Sequence, residues 1–120
     1  MKTSDPPDDR PAEAAPSPGS GVLIAVIVIC FAVEGLLQLS DLQLAGPLRL
    51  RSQAYEYFGF WAGLLQSWTP NYPAQPWLMF LTYGFLHGGV LHLVVNMVTL
   101  WSLGLAVLDR VGVRGFVLLY

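Results

Sequence analysis

Charge is scarce in this sequence. Of its 120 residues 12% are Asp, Glu, Lys or Arg and 54% are hydrophobic, whereas an average globular domain has roughly a quarter of its residues charged. A chain so poor in charge need not present all of its surface to water. The formal net charge of -2 gives neither a basic field for nucleic acid nor an acidic excess for solubility. Cysteine is nearly absent as well. Cys30 stands alone inside an apolar run, which excludes an intramolecular disulfide and suits a small apolar filler. Aromatic residues are missing from residues 1–20, which hold five prolines and several acids instead. Such a stretch has too little apolar surface to offset the entropy of ordering, so it is expected to be a disordered tail.

Long hydrophobic runs are what the chain does have. Residues 21–33 carry no charge, and the run resumes after Glu34 as far as Leu39. Roughly 19 helical residues at ~1.5 Å each reach ~28 Å, close to the ~30 Å hydrocarbon core of a bilayer. A cleaved signal peptide fits poorly: the leader is long and net acidic, the run is too long, and no small-x-small site follows. A first span over about 21–40 is expected, with Glu34 toward its far interface beside Gln38 and Asp41, where a carboxylate reaches water. Residues 41–86 mix Arg49, Arg51 and Glu56 with Tyr55, Tyr57, Phe58, Phe60, Trp61 and Trp68. Aromatics among glycines and few charges suit the headgroup region, so helices lying at the interface are expected here, one near 54–68 and another opened by Pro76.

Beyond the Gly88–Gly89 break comes a second span, over about 87–108. A polar turn with Asp109, Arg110, Gly112 and Arg114 follows, and then the start of a third apolar helix at 115–120. Six residues cannot cross a bilayer, so the chain reads as part of a longer protein. Lys2 and Arg10 precede the first span and Arg110 and Arg114 follow the second, against Arg49 and Arg51 between them. The positive-inside rule then puts the amino terminus in the cytoplasm and the long first loop outside.

The second span carries the chemistry. His92 and Asn96 lie four residues apart, one above the other on a helix, and Thr99 extends the stripe. In lipid such donors must turn toward other helices or a wet cavity. Interhelical packing alone accounts for that pattern. A metal site drawn from His87, His92 and Asn96 is a weaker account, because the step from His87 crosses two glycines and no Cys, Asp or Glu lies near.

The string His87-Gly-Gly-Val-Leu-His92-Leu-Val-Val-Asn96-Met97 resembles the second-helix signature of rhomboid proteases, in which His, four residues, His, three residues and Asn-Met follow one another. The resemblance runs on through Leu100, Trp101 and Gly104 to Gly112 and the start of the next helix. It also reaches back to the aromatic-rich first loop, covering roughly residues 21–120. One departure is Asp109, where many rhomboids carry a glutamate near position 108.

The resemblance implies an all-α polytopic membrane protein with a rhomboid-like helical bundle, partial here because it stops after the start of the third transmembrane helix. It implies a serine endopeptidase cleaving membrane-protein substrates. In that family a serine in Gly-x-Ser-Gly is the nucleophile and a later histidine the base. The residues matching His92 and Asn96 help stabilise the oxyanion, and the one matching His87 sits at the mouth of the site. The chain contains no Gly-x-Ser-Gly, and none of its serines has a histidine placed to activate it. It is therefore expected to hold the oxyanion side of a site and to be inactive alone. A non-catalytic rhomboid-like protein that binds other membrane helices is the alternative. No cofactor or metal is expected. The expected partners are the lipid bilayer and transmembrane substrates, not nucleic acid, and the expected location is a bacterial cytoplasmic (inner) membrane.

Overall fold

The structure, a computed structural model, describes residues 19–120. The tail expected over residues 1–20 lies, but for its last two positions, outside the described residues. Among the described residues every regular element is helical. The order is α1 (Ser20–Asp41), α2 (Leu50–Phe58), a 3-10 turn (Ala62–Leu65), α3 (Gln75–Thr82), a second 3-10 turn (Tyr83–Phe85) and α4 (Val90–Leu119).

Helices α1 and α4 are both long and apolar enough to cross a membrane. The 22 residues of α1 correspond to ~33 Å of helix. Only 22% of the most apolar stretch of α1 and 17% of that of α4 is buried. The core helix of a water-soluble domain would bury most of such a stretch. These exposed valines, leucines and isoleucines need lipid or further helices around them.

The two helices pack antiparallel. Leu23, early in α1, meets Leu108 and Phe116 late in α4, while Cys30 meets Leu93 and Met97 near the start of α4. Contact is close at Gly104, where an added Cβ would fall 2.8 Å from a Leu23 methyl carbon. Small residues at a crossing let membrane helices approach in this way. The chain leaves helical geometry once within α4, at Gly112 (φ 69°, ψ 178°). There it doubles back, so that Phe116 lies beside Gly104 and the Tyr120 hydroxyl donates to the carbonyl of Gly84 at 3.1 Å.

The segment between the long helices is held together by polar capping. A helix leaves its last four carbonyls without intrahelical partners. In α2 each finds a side chain: Trp61 Nε1 donates to Tyr55 O, Gln75 Nε2 to Glu56 O, Tyr72 Oη to Tyr57 O and Thr82 Oγ1 to Phe58 O, at 2.7–2.8 Å. Ring contacts reinforce this, with Phe60 5.3 Å from Phe80 and 5.7 Å from Tyr83. The end of α2 is thereby tied to α3, and its first turns are presented to α1.

That placement overturns one expectation. Glu34 does not reach water at an interface. It is 1% exposed, and its carboxylate receives both Arg51 terminal nitrogens, at 2.9 and 3.2 Å, and the Gln38 amide at 3.2 Å. An isolated buried carboxylate is costly, and a bidentate guanidinium is the partner that best meets both oxygens. Arg51 also pairs with Asp41 through Nε. Hydrogen bonding to Glu34, foremost, raises the guanidinium pKa above its ordinary value.

Candidate active site

The amino-terminal end of α4 is built by two glycines. Gly89 caps the helix at φ 135° and ψ 173°, a region open essentially to glycine alone. Gly88, just before it, has its N–H directed at the Nδ1 of His92, 3.2 Å away. His92 is the third helical residue, the position from which a capping-box side chain reaches back over the helix start. Because Nδ1 accepts that bond, the neutral ring carries its proton on Nε2. His92 is therefore an N–H donor from a defined nitrogen.

His87 and His92 are brought together, their rings edge to face at 5.5 Å. They differ in environment. His92 is exposed, while His87 is 3% exposed and its Nδ1 is buried without a hydrogen-bond partner. Burial, before all else, lowers the pKa of His87, and the neighbouring His92 adds to it against opposing contributions from the Phe85 backbone and Glu34. Burial disfavours the charged imidazolium, so His87 is neutral near pH 7. Its enclosure fits a structural place in the site better than contact with water.

Asn96 lies one turn beyond His92 and is also exposed. It lines an open cleft of ≈ 400 Å³ between α4 and the returning segment, with His87, Thr99, Gly104, Phe116 and Tyr120 among the other walls. His92 is not among them, so the cleft unites Asn96 with His87 rather than with His92. The remaining hydroxyls of α4 are satisfied by their own helix: Thr99 donates to Val95 O at 2.9 Å and Ser102 to Val98 O at 2.8 Å. Thr99 thus needs no partner on another helix, and Ser102 has no histidine beside it. Among the described residues, no three His, Cys, Asp or Glu gather as metal ligands would.

Sequence reasoning missed the other half of this layer. Arg51 Nη1 and the Tyr55 hydroxyl both donate to the carbonyl oxygen of His87, at 3.3 and 2.5 Å. The available signal was an acid within an apolar span followed by two arginines and a tyrosine in the next segment.

Among the described residues, fold and site together define an all-helical protein with two helices long and apolar enough to cross a membrane and a polar cluster where the second begins. Comparison with known families adds one similarity. The family model of the Rhomboid domain matches residues 74–120, and over that stretch the chain is similar to that domain. The match starts at the cap of α3 and takes in the whole of α4; α1 and α2 lie outside it. No curated protein and no solved structure matched the chain.

Proposed function

We propose that this chain supplies the oxyanion-stabilising side of a rhomboid-type intramembrane serine endopeptidase. The observation that carries the reading is the bond from Gly88 N–H to His92 Nδ1, which leaves Nε2–H free to donate one helical turn from the Asn96 amide. Attack on a peptide carbonyl places negative charge on its oxygen, and prepositioned neutral donors stabilise that charge. Two donors at the start of a membrane-length helix lie within roughly 10 Å of its end, shallow enough for water to arrive. The nucleophile and base that hydrolysis also needs are not among these 120 residues. The cytoplasmic amino terminus, the bacterial inner membrane and the transmembrane substrates belong to this same reading.

The test uses the intact protein. Asn96→Ala is expected to lower turnover by roughly 10²–10³, the cost of losing one oxyanion donor, with the unfolding temperature little changed. Undiminished specific activity with a loss of stability would instead make Asn96 a packing residue. The second reading, a non-catalytic protein binding membrane helices, draws support from the open cleft, whose lining is mostly apolar. The reading frame beyond Tyr120 separates the two. Gly-x-Ser-Gly and a further histidine support the protease, and an intact frame lacking both would sink it.

A further inference from the structure

The contacts around His87 and Gly88 converge on one peptide group. The carbonyl of His87 and the N–H of Gly88 belong to the same planar unit and point in opposite directions. On the carbonyl side stand Arg51 Nη1 and the Tyr55 hydroxyl. On the N–H side stands His92 Nδ1. Behind Arg51 stands Glu34, buried in α1 and joined to it by two hydrogen bonds. We propose that Glu34, Arg51 and Tyr55 are positioning residues for His92, acting through this peptide group to hold the imidazole in its Nε2–H form.

Three physical steps make the chain. Two donors on one carbonyl oxygen, one of them cationic, fix the orientation of the peptide plane. They also polarise it, so the N–H on its far side becomes a stronger donor. That N–H can be accepted only by an unprotonated Nδ1, and the second tautomer, with its proton on Nδ1, would set two N–H groups against each other. In the second tautomer Nε2 would also turn a lone pair toward any developing oxyanion instead of a proton.

A purely structural role for the ion pair would be to tie α1 to α2. Two observations go beyond it. Arg51 directs one nitrogen to a backbone oxygen as well as to Glu34, and the neutral Tyr55, which adds nothing to charge pairing, reaches the same oxygen. Arg51 and Tyr55 are four residues apart on α2, so one helix face delivers both. The capping of the end of α2 by Trp61, Tyr72, Gln75 and Thr82 then fixes where that face points.

The consequence for turnover rests on the oxyanion role proposed above; the consequence for the tautomer does not. The experiment therefore reads both. Imidazole nitrogens of ¹⁵N-histidine-labelled intact protein in detergent micelles are observed by long-range proton–nitrogen correlation, with His92→Gln assigning the signal. In the unmodified protein His92 is expected as the Nε2–H tautomer. Tyr55→Phe removes one hydroxyl and leaves the ion pair, so the fold is kept, and Glu34→Gln weakens the hold on Arg51. Both are expected to convert His92 to a mixture of tautomers and to lower kcat roughly tenfold, the size of one hydrogen bond of ~1.4 kcal/mol, with KM unchanged. A pure Nε2–H signal in both variants, or a mixture already present in the unmodified protein, would overturn the positioning role. A tautomer change with full turnover would uphold it and remove His92 from the oxyanion reading.

Discussion

Two histidines five residues apart receive opposite environments from one short turn. His87 is enclosed beneath Arg51 and Tyr55, while His92 stands exposed with one nitrogen engaged. For His87 the consequence is a pH-dependent stability whose sign can be worked out. Burial sets its folded pKa below the ordinary 6.5, so as pH falls through that value the unfolded chain takes up a proton before the folded one. Stability is then full above 6.5 and is lost as pH falls from there toward the lower folded value. Detergent-unfolding free energies measured across this window are expected to fall with acidification. The same series on His87→Gln should be flatter, and an equally steep loss in that variant would assign the slope to other groups. The spacing of His92 and Asn96 was legible from sequence, because a period of four on a helix is a local property. The enclosure of His87 was not. It depends on α2, more than thirty residues earlier in the chain, and no local pattern carries that distance.

At the scale of elements, hydropathy made both long helices legible, because in lipid a backbone must satisfy its own hydrogen bonds and the residues need only be apolar. The segment between them was less so. The aromatic residues of 41–86 signalled an interface, but the sequence does not announce that four of its side chains would cap the last turn of α2. Gln75 shows what such a cap is worth. It is 1% exposed, accepts the Asn71 N–H at 2.7 Å and donates to Glu56 O at 2.7 Å. Gln75→Ala leaves both groups to find other partners, and a destabilisation of about 1–3 kcal/mol is expected, read by thermal unfolding in detergent. Gly89 makes a sharper case. Nothing lies within 4 Å of a Cβ built there, so crowding is not at issue and the cost of Gly89→Ala is that of its backbone angles alone. About 1–3 kcal/mol is expected, together with a changed His92 imidazole signal, since the capping turn carries the Gly88 N–H. A neutral substitution would mean that the turn relaxes freely and does not hold the ring.

At the scale of the molecule, the antiparallel packing puts the end of α1, the start of α2 and the start of α4 on one side. The Glu34–Arg51 pair and the His87–His92 pair therefore share a level, and the turn at Asp109 and Gly112 marks the opposite end. The proposed protease requires the first of these ends to be the outer one, where a shallow site can take water from outside. Within these 120 residues the background is low, because the one cysteine, Cys30, is fully buried and stays silent toward an aqueous thiol reagent. Ser52 on α2 and Asp109 near the break in α4 are both exposed. Neither is a basic residue, so replacing them leaves the positive-inside balance in place. Ser52→Cys in intact spheroplasts is expected to react with a membrane-impermeant maleimide, and Asp109→Cys only after the membrane is opened. The reverse pattern would turn the protein over and move the His92 and Asn96 donors to the cytoplasmic face. Labelling of both from outside would show that α4 does not cross the membrane, and with that the membrane-embedded site would have no barrier to lie in.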